Sequence, residues 1–170
     1  MKKILIILAS LFLFSCNVTK QTILSNSQNF ALDSSCPVDG NCKIEVFENK
    51  TINVLNDGTG SLYYQLQDDL EHKVIQYTYS KKAENDLQDA HYKEELIFEI
   101  ENTIDEKSLQ NENLQQAKML FGRFCYCKGK AGNFKVTNGN LIIKNDKIVI
   151  DFEIKEVPQI TKNISIAIKK

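Results

Sequence analysis

The chain has 170 residues, 42% of them hydrophobic and 25% charged, enough to bury one core and short for more than one folded domain. Its 21 basic and 22 acidic residues give a formal net charge of −1. With no basic excess to draw it to phosphate backbones, nucleic acid is excluded as an expected partner.

Met1-Lys2-Lys3 opens the chain, and residues 4–14 are apolar except for Ser10. A basic start, an apolar run and a small residue, Ser15, ahead of Cys16 have the layout of an export signal. The run is about half of the roughly 20 apolar residues that a spanning helix needs. Leu13-Phe14-Ser15-Cys16 resembles the lipobox of bacterial lipoproteins, although Phe14 is larger than the residue usual at its place. The resemblance implies that residues 1–15 are a lipoprotein signal peptide. It also implies that Cys16 carries a diacylglyceryl thioether and an amide-linked acyl chain such as palmitate. At about 0.8 kcal/mol per buried methylene, two or three chains make release from a membrane negligible. Cys16 is then an anchor to membrane lipid with no catalytic role. Loss of Lys2 and Lys3 leaves 19 basic residues against 22 acidic and a net charge of −3.

Residues 16–35 read as the lipidated cysteine and a flexible tether, rich in Ser, Asn, Gln and Thr. Coil dimensions give it a reach of roughly 25 Å. The competing reading docks Ile23-Leu24 or Phe30 and Leu32 on the domain as an extra strand.

Residues 36–170 are expected to form a single β domain, because period-two alternation dominates them. Asn56-Asp57-Gly58-Thr59-Gly60 is a turn between strands at 51–55 and 62–66. Residues 73–81, with Val74, Ile75, Tyr77 and Tyr79, predict another strand, and residues 82–91 a loop or one helical turn. In 94–101, Leu96, Phe98 and Ile100 alternate with Ile97 and Glu99, the pattern of a half-buried strand with polar residues outward. Residues 105–116 are polar, and a short helix fits there. Residues 117–127 are apolar on both faces and predict a strand lying centrally between layers. Asn138-Gly139 suits a type I′ hairpin between 134–137 and 140–144. Asn145-Asp146 leads into 147–155, where Ile148, Ile150, Phe152 and Ile154 share a face. Val157-Pro158-Gln159 breaks the chain before 160–168, where Ile164, Ile166 and Ile168 alternate with smaller or polar residues. The sum is a mainly β fold: an antiparallel β-sandwich or open barrel of about nine short strands, with at most one or two short helices.

Four cysteines remain besides Cys16, and an even number in an exported chain reads as disulfides. Residues two apart on a regular strand have Cα atoms roughly 6.6–6.8 Å apart, at the outer limit for a bridge. Cross-pairing of Cys125 and Cys127 with Cys36 and Cys42 is therefore favoured, with a local Cys36–Cys42 bridge as the alternative. A Cys125–Cys127 bridge requires a turn or bulge at that point. Cys₄ zinc is disfavoured, because the spacings of five and one residues depart from the C-x₂₋₄-C pairs of zinc ribbons. A redox-active C-x-C is a rival reading, since Arg123, Lys128 and Lys130 would favour a thiolate.

His72 and His91 lie in polar stretches and read as solvated, and no nucleophile, metal-protease, P-loop or calcium-loop pattern occurs. Catalytic residues, metal ligands and cofactors are accordingly expected to be absent. Lys128, Gly129, Lys130 and Gly132 form a possible binding loop whose amides could meet an anion, with a plain hairpin loop as the simpler reading. Asp86, Asp89, Glu94, Glu95, Glu99 and Glu101 read as a solvated face, and Tyr63, Tyr64, Tyr77, Tyr79 and Tyr92 as strand filling or a ligand surface.

Cys36-Pro37-Val38-Asp39-Gly40-Asn41-Cys42, Phe121-Gly122-Arg123-Phe124-Cys125-Tyr126-Cys127-Lys128-Gly129 and Glu156-Val157-Pro158-Gln159-Ile160 together are similar to small uncharacterised lipoproteins of the Bacteroidota. That resemblance carries no activity. Asn17-Val18-Thr19-Lys20 lacks the acidic residues that mark surface export in the group, which implies an outer-membrane anchor facing the periplasm. The expectation is a non-catalytic envelope lipoprotein that binds an envelope protein or small ligand, or supports an assembly. A thiol–disulfide redox protein and a periplasmic inhibitor or immunity protein are the alternatives.

Overall fold

The structure, a computed structural model, describes residues 29–82, 91–103 and 106–169. Cys16, the signal residues, Ile23-Leu24 and the loop acids Asp86 and Asp89 lie outside them.

The fold is mainly β, in two five-stranded antiparallel sheets. The first contains β1 (Phe30–Leu32), β10 (Asn163–Ile168), β9 (Lys147–Phe152), β8 (Gly139–Lys144) and β5 (Lys107–Gln110), in that order. The second contains β2 (Gly40–Asn56), β3 (Leu62–Lys81), β4 (Lys93–Glu101), β6 (Leu120–Phe124) and β7 (Gly132–Lys135). A 3-10 helix, Asn111–Ala117, joins β5 to β6 and buries Leu114 and Ala117. The β-sandwich expectation holds, but the strands are unequal, since β2 runs for 17 residues and β3 for 20.

That long hairpin shapes the molecule. Its ladder runs from Gly40↔Lys81 to Asn56↔Leu62 and shifts register between Glu48 and Lys50. Asn49 sits in the break at φ 55°, a left-handed conformation that asparagine tolerates. Opposite it, Asp69 Oδ1 accepts the Glu71 and His72 amides at 2.7 and 3.2 Å. Beyond this bulge the hairpin turns back over its own sheet. Leu62 then pairs with Asn133 of β7, so β3, β4, β6 and β7 close into a small barrel.

Two cores result. Val46, Ile75, Leu96, Phe98 and Phe121 face Leu141, Ile148, Ile150 and Ile166 of the other sheet. On the opposite face of the second sheet, Ile52, Val74, Ile97 and Leu120 form a smaller cluster capped by Phe47, Val54, Tyr64 and Leu66. β4 is consequently buried on both faces, from Glu94 through Ile100. This overturns the solvated acidic face for Glu94, Glu95 and Glu99, which are 0, 7 and 6% exposed; among the described residues of that face only Glu101 is open to solvent.

Two further expectations change. Phe30 and Leu32 belong to β1, which pairs with β10, so the domain starts ahead of residue 36 and the docked-strand reading is correct there. Asn138-Gly139 does not close a hairpin, since β7 and β8 lie in different sheets and the chain crosses between them at this point. Gly139 adopts φ 140°, and a Cβ on it would stand 2.1 Å from the Asp151 carbonyl oxygen. The tight hairpin falls instead at Asn145-Asp146, with φ 52 and 57°, the signature of a type I′ turn between β8 and β9.

Candidate functional site: the disulfide-loop end

One end of the second sheet gathers both pairs of cysteines. Gly40 pairs with Lys81, Ser80 with Lys93, and Lys93 with Phe124, so the start of β2, the end of β3, the start of β4 and the end of β6 lie side by side. Three strand spacings separate β2 from β6, about 14 Å.

Cys36 and Cys42 are bridged, with Cα atoms 5.7 Å apart, and the Cys125–Cys127 pair is bridged at 5.2 Å. Both bonds are local, and the favoured cross-pairing is incorrect. It assumed a regular strand through Cys127, whereas β6 stops at Phe124 and the chain bends at Cys125 and Tyr126. That bend shortens the Cα separation below the strand value and makes the short bridge possible.

The first loop is fixed by its own polar groups. The Tyr79 hydroxyl donates to Asp39 Oδ1 at 2.8 Å, the Lys82 amide to the Asp39 carbonyl at 2.8 Å, and the Gly40 amide to the Pro37 carbonyl at 3.1 Å. Gly40 is required here, because a Cβ would stand 2.1 Å from the Tyr79 ring. The Tyr79 hydrogen bond holds the Asp39 carboxyl below its usual range, with Lys81 adding to the effect. Burial, and then the same hydrogen bond, push the Tyr79 phenol up.

The second loop hangs on a chain of buried polar groups. Arg123 donates to the Lys130 carbonyl at 3.1 Å and to the Tyr92 hydroxyl at 3.3 Å, with its guanidinium 5.3 Å from the Tyr92 ring centre. Tyr92 donates in turn to Glu94 Oε1 at 2.5 Å, and burial, followed by that bond, raises its phenol to about 12. The Glu94 carboxylate also accepts the Ile160 and Thr161 amides at 2.6 and 2.8 Å, which clips the β9–β10 connection onto β4. The Lys130 amide donates to the Cys127 carbonyl at 3.0 Å and closes the turn.

The loop tips carry the two most exposed apolar side chains among the described residues, Val38 at 97% and Tyr126 at 88%. Beside Tyr126 is a cleft of about 420 Å³, lined by Ser80, Lys81, His91, Lys93 and Phe124, with Cys125 on its wall. At the other end of the sheet the N-terminal strand enters: the Lys73 ammonium lies 5.7 Å from the Phe30 ring centre. Lys73 and Lys81 are eight residues apart on β3, about 26 Å.

The remaining sequence-derived candidates scatter. Lys128, Gly129 and Lys130 belong to the turn just described, and Gly132 begins β7 at φ 127°. His91 is exposed in the cleft, whereas His72 is partly buried, with Nδ1 3.2 Å from Asp69 at the hairpin bend. Tyr77 and Tyr79 are buried in the main core, and Tyr64 caps the smaller one, where burial and then Glu95 raise its phenol to about 12. Tyr64, Tyr77 and Tyr79 therefore fill strands, whereas Tyr92 lines the cleft beside Tyr126 and Tyr63 is exposed. Val38, Tyr126 and the Arg123–Tyr92–Glu94 chain escaped the sequence reading. An apolar residue isolated between two nearby cysteines was the available signal for the first two.

Among the described residues no three His, Cys, Asp or Glu side chains are placed to share a metal ion, and no helix is long and apolar enough to cross a membrane. No family model, curated protein or solved structure matches the chain.

Proposed function

We propose that the chain is an envelope lipoprotein, anchored through Cys16 in the outer membrane and facing the periplasm. Its β domain is a binding module that offers the disulfide-loop end to a protein partner. One observation carries the binding reading: Val38 and Tyr126, 97 and 88% exposed, top two covalently closed loops on the same end of one sheet. Exposed apolar side chains on pre-organised loops lose little entropy when a partner covers them, and they suit the anchor positions of an interface. The anchor reading is supported by the signal layout and by where β1 enters, at the end remote from these loops.

Photo-crosslinking residues placed at positions 38 and 126 in intact cells test the binding role, with position 149, which is 41% exposed on the outer face of β9, as the control. The expected result is one discrete adduct shared by positions 38 and 126 and missing from position 149. Equal adducts from all three, or none, sinks the docking reading. Labelling with an alkyne fatty acid tests the anchor, with label expected on wild type and lost in Cys16→Ala.

A further inference from the structure

The two disulfides differ in what they do for the fold. Cys36–Cys42 encloses five residues, packs against the main core, and its Cys42 Sγ lies 3.1 Å from the Tyr77 hydroxyl. Cys125–Cys127 encloses one residue, and the entropy that a bridge removes from the unfolded chain is least for the shortest loops. The turn it spans is already held by the Arg123↔Gly132 pair, by Arg123 on the Lys130 carbonyl and by the Lys130 amide on the Cys127 carbonyl. As a staple it is close to redundant.

Access and charge point another way. Tyr126 projects into solvent between the two cysteines, and Cys125 borders the open cleft of about 420 Å³. Lys128 follows Cys127 directly and Lys130 lies two residues further on, both exposed, and the buried Arg123 is hydrogen-bonded to the Lys130 carbonyl of this loop and to the Tyr92 hydroxyl ahead of β4. Cations around a sulfur favour its thiolate, the form that leaves when a disulfide is attacked.

We propose that Cys125–Cys127 is a thiol–disulfide exchange site whose reductant is a dithiol of a partner protein. A thiolate of the partner, entering by the cleft, attacks Cys125 Sγ. A bond forms between the two sulfurs, the Cys125–Cys127 bond breaks, and Cys127 departs as a thiolate beside Lys128. The partner's second thiol, deprotonated, attacks its own sulfur in the mixed disulfide and releases Cys125 as a thiolate. The partner loses two electrons and two protons and gains a disulfide. Cys125 and Cys127 take up the electron pair, and the protons pass to them or to water.

The test uses the chain carrying Cys16→Ser, which leaves four cysteines. In reduced glutathione followed by alkylation, the Cys125 and Cys127 thiols should appear at least tenfold faster than those of Cys36 and Cys42. With a short C-x-x-S peptide activated as its thiopyridyl disulfide, which has no second thiol to resolve the adduct, Cys127→Ser should accumulate a stable mixed disulfide on Cys125, and Cys125→Ser at least fivefold less. Lys128→Ala/Lys130→Ala, which keeps both bridges, should open Cys125–Cys127 at least threefold more slowly. Equal opening of the two bridges overturns the proposal. So does an unchanged rate in the double lysine variant, or a Cys127→Ser protein with native circular dichroism that forms no adduct.

Discussion

Glu94 shows how much one buried side chain can organise. Its carboxylate sits at 0% exposure and accepts three donors: the Tyr92 hydroxyl and the Ile160 and Thr161 amides. An ionised carboxylate is an acceptor only, so three donors suit it, and a buried charge is tolerable when its lone pairs are occupied. Glu94→Gln keeps the shape and replaces one acceptor oxygen by an amide that must face a donor. The expected loss is about 2–3 kcal/mol, the scale of a charge-assisted bond plus an unsatisfied buried donor. Urea unfolding measures it, as a lower midpoint at unchanged slope. A loss below about 1 kcal/mol would mean that other contacts hold the β9–β10 connection. The sequence concealed this role, because Glu94-Glu95 ahead of an apolar strand looks the same whether water or a folded-back hairpin lies above it.

At the scale of elements, the fold-back of β2 and β3 is the decisive event, and a second buried glutamate fastens it. Glu99 Oε2 accepts the Thr51 hydroxyl at 2.7 Å and the Ile52 amide at 2.9 Å, while the Lys118 ammonium lies 3.1 Å from its other oxygen and donates to Thr51 at 2.7 Å. Lys118 reaches this point from a left-handed residue, φ 45°, that ends the 3-10 helix. Glu99→Gln weakens the clasp between the returning hairpin and β4. Hydrogen exchange should then quicken at least tenfold, equivalent to about 1.4 kcal/mol, for amides in residues 51–66 and stay unchanged in β8 and β9. Uniform acceleration in all strands would show instead that the hairpin opens only with the whole domain. β9 and β10 were legible because their alternation has one answer: Ile148, Ile150, Phe152, Ile164 and Ile166 are all buried. The bend was not, since it rests on Asn49, a polar residue in a polar stretch with no pattern of its own. Asn138-Gly139 misled for a related reason: the same dipeptide serves a tight turn or a glycine pressed against the Asp151 carbonyl, and only the neighbouring sheet decides. The cysteine positions marked the site, but their pairing depended on β6 ending at Phe124, one residue before the first of them.

At the scale of the molecule the chain has a direction. It enters at Phe30, paired with Ile168 of β10, beside the Lys169 amide that donates to Asn29. Six residues then lead to Cys36, a reach of at most about 21 Å, from the Lys73 part of β3 beside Phe30 to the Lys81 part beside Asp39. If lipid holds Cys16, the thirteen residues from 17 to 29 set the separation from the membrane at no more than about 45 Å. Any shorter value still leaves the entry end nearer the bilayer on average. Tumbling narrows the difference between the two ends without inverting it. The chain contains no tryptophan, which makes this order measurable with single tryptophans. Lipidated Lys169→Trp and Tyr126→Trp proteins, each in vesicles with dansyl-labelled headgroups, report the entry end and the loop end by energy transfer. Transfer should be several-fold greater for Lys169→Trp. Equal transfer would mean that the domain lies flat on the bilayer. Greater transfer for Tyr126→Trp would place the disulfide loops against lipid, where a periplasmic partner could not reach them, and would turn the proposed docking end into a membrane contact.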